Sequence, residues 1–267
     1  MNYNNINSAL KLFSAGKKED AYKRLKKIFS KNKSDDQLRF NLAVIAQSTN
    51  RNLEAKENFN FLINKNNNQK AMKNLYALYI EESNYNDALK ITDKLLINNP
   101  KDNLIINNKA FVLYKLKRYE ESISICENLL KFNIDLNLLN ILGLNYFAKN
   151  EYDKSEEIFK GALKIEKNNA SILNSLGRLY HEKRDSKNAR FYFLQAYNLK
   201  KDSFEIINNL AGFLREEGEY LKAIDLYLEA LKINPNNTTI INNLAKAYFD
   251  IDQLETAKKY CLKALSL

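Results

Sequence analysis

Tryptophan is absent from these 267 residues, histidine occurs once, cysteine twice, proline twice and glycine six times. Each shortage closes an option. One histidine and two cysteines cannot assemble the ligand cluster of a zinc site or a disulfide framework. Six glycines and two prolines are too few for the turns of a β-sandwich or barrel, and they point to helices. The sequence holds no glycine-rich phosphate loop. No stretch approaches 18 apolar residues free of charge, so no membrane span is expected. The opening MNYNNINSALKLFSAG has no long apolar core behind a basic start, which makes it a poor signal peptide. So few cysteines make a reducing cytoplasm the expected compartment.

What is present belongs to a folded chain. Hydrophobic residues make up 45% and charged residues 28%, with 14 Phe and 16 Tyr, which excludes disorder. The net charge is +10. Much of it is local: Lys11, Lys17, Lys18, Lys23, Arg24, Lys26, Lys27, Lys31 and Lys33 stand against Glu19 and Asp20. Such a cluster suits nucleic acid, anionic lipid or an acidic protein, or is a solvated helix face. Asparagine is the other bias, at 40 residues, and has the look of a compositional drift of the source genome.

The sequence repeats itself every 33 or 34 residues. In FEIINNLAGFLREEGEYLKAIDLYLEALKINPNN, residues 204–237, Ile207, Leu210, Ala211 and Leu214 form one helical stripe. Gly218 interrupts, and Ala223, Leu226, Tyr227, Ala230 and Leu231 form a second stripe, which Pro235 stops. Asn236, Asn237 and Thr238 then offer caps for the next helix. Small residues recur at the eighth position of the unit (Ala9, Ala43, Ala110, Gly143, Gly177, Ala211, Ala245), with Tyr76 the exception. They recur at the twentieth (Ala21, Ala55, Ala88, Ser122, Ser155, Ala189, Ala223, Ala257) and, in the second half, at the twenty-seventh. Small residues there let two antiparallel helices approach closely. The twenty-fourth is often aromatic, with Phe59, Phe159, Phe193 and Tyr227; Cys126 and Cys261 fall on it too and are expected to be packed and inert.

These residues resemble the tetratricopeptide repeat family: large apolar at 4, Leu at 7, Gly or Ala at 8, Tyr at 11, Ala at 20, aromatic at 24, Ala at 27 and Pro at 32. The resemblance covers the chain as one array, residues 1–267, in units 2–35, 36–68, 69–102, 103–135, 136–169, 170–203, 204–237 and 238–267. It implies an all-α fold: an α-solenoid, a right-handed superhelix of antiparallel helix pairs with about 16 helices. Some positions depart from the pattern. Arg39 and Lys109 stand where large apolar residues are usual, and unit 1 has polar Asn5 and Ser8, as an end repeat facing water requires. The last helix, with Leu254, Tyr260, Leu262, Leu265 and Leu267, is expected to leave an apolar edge that self-association or a further segment covers.

The resemblance also implies that the first helix of each unit lines a concave groove. At its sixth position stand Asn7, Asn41, Asn74, Asn108, Ile141, Ser175, Asn209 and Asn243, where the overall composition would place about one Asn in eight. The fifth is enriched as well, with Asn107, Asn140, Asn174, Asn208 and Asn242. A carboxamide donates and accepts, so such a row can grip the backbone of an extended peptide, similar to the asparagine ladder of O-linked N-acetylglucosamine transferases. Equally, these residues can brace neighbouring helices. Phe13, Phe40, Phe111, Tyr114 and Phe147 add apolar groove positions that can also serve the core, and Arg178, Arg215 and Lys246 add charge. The family's carboxylate clamp is incomplete, with Ile6, Leu10 and Asn74 at key places. His181 stands alone, so neither catalysis nor a metal or other cofactor is expected.

The function these features favour is a non-catalytic scaffold that binds a protein or peptide segment in the groove. The alternatives are the substrate-recruiting module of a glycosyl- or sulfotransferase-type enzyme with its catalytic domain elsewhere, and an RNA-binding solenoid. The 33–34-residue period argues against the last.

Overall fold

The structure, a computed structural model, describes residues 3–132 and 134–267, with side chains from Ile6 onward; the polar residue expected at Asn5 lies outside the described side chains. Among the described residues there are sixteen helices and no strand. The first seven are α1 (Tyr3–Ser14), α2 (Lys18–Lys31), α3 (Asp36–Ser48), α4 (Asn52–Asn66), α5 (Gln69–Glu81), α6 (Tyr85–Asn98) and α7 (Asn103–Lys115), and they belong to a compact unit, Met1–Arg118. A second unit, Tyr119–Leu267, holds α8 (Tyr119–Leu130), α9 (Leu136–Ala148), α10 (Tyr152–Ile165), α11 (Ala170–Glu182), α12 (Ser186–Leu199), α13 (Phe204–Glu216), α14 (Tyr220–Ile233), α15 (Thr238–Asp250) and α16 (Leu254–Leu265). The boundary falls in the turn of the fourth repeat.

Every repeat turns at its fifteenth position, and in all eight that residue has a positive φ: Gly16, Asn50, Ser83, Lys117, Asn150, Arg184, Gly218 and Asp252. In each, the next N–H reaches back to the carbonyl of the eleventh residue at 2.8–2.9 Å, as from Asp185 to Tyr180. This is the bonding of a Schellman C-cap, which leaves no last-turn carbonyl stranded. Side chains start the first helices: Asp35, Asn68, Asp102, Asp135, Asn169 and Asn237 each accept from a backbone N–H of the following turn. Part of the asparagine excess is therefore cap chemistry.

The small-residue rows pack as the sequence predicts. All eight residues at the twentieth position are buried, and the Ser155 hydroxyl donates to the Gly143 carbonyl at 2.8 Å. The eighth and twenty-fourth positions trade volume. A Cβ added to Gly143 would stand 2.4 Å from the Phe159 ring, and one on Gly177 would stand 2.5 Å from Phe193. The third repeat inverts the trade, with half-buried Tyr76 at the eighth position and fully buried Thr92 at the twenty-fourth. The two polar departures are also accommodated. The Arg39 guanidinium lies 3.7 Å and 4.8 Å from the Phe61 and Phe29 ring centroids and donates to Asn58 Oδ1 at 3.0 Å. A planar cation thus fills a slot the family gives to an aromatic. Lys109 pairs with Asp93 at 2.7 Å.

One expectation needs correcting. Cys126 is buried, but Cys261 is exposed. The twenty-fourth residue of a unit is covered by the first helix of the next, as Phe193 is by Phe213 with ring centroids 5.5 Å apart. Among the described residues no helix packs over Cys261 in this way, and Leu254, Leu262, Leu265 and Leu267 are exposed on the same helix and its end.

Candidate functional site

In the second unit, the first helices of successive hairpins touch one another: α9 with α11, α11 with α13 and α13 with α15. The second helices make no comparably close contact among the described residues. Helices that approach on one side and diverge on the other make the first-helix face the inner one. On α11, α13 and α15, residues of the fifth, sixth, ninth, twelfth and thirteenth positions come together on that face.

There the asparagines of the fifth and sixth positions bond across repeats. Asn209 Nδ2 donates to Asn174 Oδ1 at 3.1 Å, and Asn243 Nδ2 donates to Asn208 Oδ1 at 2.9 Å. One repeat earlier, the Ser175 hydroxyl donates to Asn140 Oδ1 at 2.9 Å. All three bonds join residues 35 apart, the sixth position of one unit to the fifth of the unit before. They fix each amide's orientation. Oδ1 of Asn209 and of Asn243 and Nδ2 of Asn208 are left with no partner among the described residues.

These three asparagines line a cavity of about 280 Å³ with Arg178, His181, Glu182, Gly212, Arg215 and Glu216. Four sequence-predicted site residues thus come together: Asn209, Asn243, Arg178 and Arg215. His181 Nε2 lies 3.0 Å from Glu216, and Arg215 lies 3.3 Å from Asp250. Arg178 makes no ion pair among the described residues; its guanidinium sits 5.2 Å from the Phe147 ring centroid. Gly212 occupies the ninth position, where its neighbours carry Arg178 and Lys246, and the gap exposes the aromatic floor of Phe193, Phe213 and Tyr227. Burial pushes the Tyr227 phenol up to about 12, so it stays protonated at neutral pH. Lys246 lines a second cavity of about 580 Å³ with Arg215, Phe249, Leu254 and Cys261.

The other predicted residues are placed differently. Phe147 is half-buried, 5.8 Å from Tyr152 and packed against the core. In the first unit, Phe13 packs on the cluster around Ala9 and Leu25, and Phe40 lies 5.9 Å from Phe59. Both are therefore partly core. Asn41 accepts from Gln37 at 3.0 Å, Asn74 donates to the Lys70 carbonyl at 2.9 Å, Asn7 is exposed and Asn108 is half-buried. Phe111 and Tyr114 flank Lys115, whose Nζ lies 5.3 Å and 5.6 Å from their centroids. Sequence reasoning missed Gly212 and Tyr227 as site residues. A glycine inside a helix, one place after the small-residue position, was the available signal.

Tandem helical hairpins of this length and packing define a class, the helical-repeat proteins. Within that class, the chain belongs to the tetratricopeptide repeat family. Residues 70–204 match the model of the Psidin N-terminal TPR repeats region, 214–252 that of the TPR repeat and 238–267 that of the tetratricopeptide repeat. The fold is similar to that of a tetratricopeptide repeat protein from Parabacteroides merdae, with a TM-score of 0.79 at 16% identity over 96% of this chain and 98% of that one. It is also similar to TTC0263, a TPR protein of Thermus thermophilus, at 0.63 and 20% identity over 68% of this chain and 100% of that one. The APC/C Cut9–Hcn1 hetero-tetramer structure contains a third similar chain, at 0.63 and 16% identity over 97% of this chain and 52% of that one. No curated protein sequence matches significantly. Proteins of this family are commonly non-catalytic scaffolds for protein–protein interaction. Among the described residues, no helix is long and apolar enough to cross a membrane.

Proposed function

We propose that this protein is a non-catalytic scaffold that holds an extended segment of a partner protein along the first-helix face, with the Asn208, Asn209 and Asn243 cluster as its backbone grip. The observation that carries this reading is the set of cross-repeat amide bonds. Each spends one half of a carboxamide on the fold and leaves the other half to the cavity. The free halves are one donor and two acceptors, the complement of a peptide's C=O and N–H groups. A rigid, pre-oriented amide loses little entropy on binding, so each bond returns more of its strength. The cavity is smaller than the usual 300–1,000 Å³ of a small-molecule site, which favours part of a chain over a cofactor.

Asn208→Asp tests the grip cleanly. It keeps the oxygen that Asn243 uses and removes the free NH₂. Against peptides that the wild-type protein selects from a random library, affinity should fall about tenfold, with the melting temperature unchanged. Equal affinity for the same peptides would overturn the grip.

A further inference from the structure

The Tyr227 side chain is only 1% exposed, yet it lines the cavity, and its hydroxyl has no hydrogen-bond partner among the described residues. Two other well-packed tyrosines of the second unit spend theirs, Tyr180 on Glu156 at 2.7 Å and Tyr197 on Glu229 at 2.9 Å. A Cβ built on Gly212 would meet only this hydroxyl, at 3.7 Å. The ninth position is thus the opening through which the phenol is reached. We infer that the gap at Gly212 is a specificity pocket for one partner side chain with an uncharged hydrogen-bonding tip, a carboxamide or a hydroxyl, which bonds to the Tyr227 hydroxyl.

The charges around the pocket select the neutral class. His181 is paired with Glu216 and Arg215 with Asp250. The two charges that line the cavity unpaired among the described residues, Arg178 and Glu182, are of opposite sign, so an ammonium or carboxylate brought to the phenol gains no net counter-charge and loses its water. Arg178, the unpaired cation, is drawn over Phe147. An apolar side chain would seal the phenol away with nothing to bond, and a site built around a hydroxyl discriminates against ligands that lack a partner for it. The phenol can donate and accept, so Asn, Gln, Ser and Thr tips all qualify.

This inference rests on the peptide-groove reading, and one experiment separates the two. A positional-scanning library of decapeptides is bound to wild-type protein, to Tyr227→Phe and to Gly212→Val. In the wild type, one library position should be enriched in Asn, Gln, Ser or Thr. Tyr227→Phe should erase that preference and weaken those peptides about tenfold, leaving preferences elsewhere intact. Gly212→Val should exclude large side chains at the same position; its Cβ meets only ordinary contact, and an unchanged melting temperature checks that the fold is kept. Should every library position behave alike, or the preferred residue be charged or apolar, or the preference survive Tyr227→Phe, the pocket is refuted while the groove stands. Absence of any peptide binding would overturn the groove and the pocket together.

Discussion

Both units carry asparagine at the sixth repeat position, and the residue does different work in each. In the second unit, Asn209 and Asn243 reach the fifth position of the repeat before, where Asn174 and Asn208 accept. In the first unit the fifth positions that precede Asn41 and Asn74 hold Ile6 and Phe40, which carry no amide to accept. Asn41 and Asn74 therefore bond within their own helices, to Gln37 and to the Lys70 carbonyl. The functional element is the pair of positions, not the asparagine alone. A side chain at one repeat position acquires its role from what the preceding repeat offers it.

The strongest way to stress this contrast is to disturb the packing beneath the paired amides. Gly177→Ala drives a methyl into the Phe193 ring and should cost about 2 kcal/mol in denaturant unfolding. Adding Phe193→Leu should recover much of that loss, since Ala9 and Leu25 already coexist fully buried in the first unit. The same mutational logic at Tyr76 and Thr92 runs in reverse: Tyr76→Ala leaves a void that Thr92→Phe should refill.

Next in size is the amide brace itself. Asn209→Ala strands Asn174, which is only 4% exposed, and should cost about 1–2 kcal/mol. Asn41→Ala and Asn74→Ala should each cost under about 0.5 kcal/mol. Equal losses in the two units would dissolve the comparison.

A smaller effect is electrostatic. The Glu156 carboxyl meets Lys160, Lys183 and the Tyr180 hydroxyl at 2.6–2.7 Å. Burial opposes its charge, yet these donors hold its pKa down at about 2 against an ordinary 4.5. A carboxyl lowered in the folded state stabilises above its unfolded value. That contribution should therefore be complete at neutral pH and be lost as pH falls from about 4.5 to about 2. Because the groups are partly solvated, its worth is about 1 kcal/mol. Glu156→Gln should flatten the acid limb of the stability curve in this window.

The smallest effect lies in the turns. Ser83 holds a left-handed conformation with φ 56°. Ser83→Gly should gain about 0.5 kcal/mol, the relief of left-handed strain less the entropy of a freer unfolded chain. Gly218→Ala, at φ 83°, should lose a comparable amount in the second unit.

The repeat was legible because steric necessity writes it plainly: small residues at the eighth and twentieth positions can be read without coordinates. The turn was less legible. Only Gly16 and Gly218 advertise the left-handed residue, and Lys117 or Arg184 in that role looks like ordinary surface. The site was half legible. Asn209 and Asn243 stood out by count, but their partners lie 35 residues away and are recognised only when the fifth and sixth positions are read together. Gly212 and Tyr227 were hidden for a physical reason. A missing side chain on one helix and a buried ring on the next make a pocket only after the two helices pack.

The exchange of volume between the eighth and twenty-fourth positions has a consequence for how such a chain finds its own fold. Tandem repeats invite mispairing, because each first helix meets several second helices that resemble its own. Tyr76 fits across from Thr92 but not across from a phenylalanine, and Gly143 and Gly177 leave room that only a large ring fills. Each such couple acts as an address, penalising hairpins assembled one repeat out of step. The irregularities that blur the family pattern are thus what let near-identical segments tell one another apart.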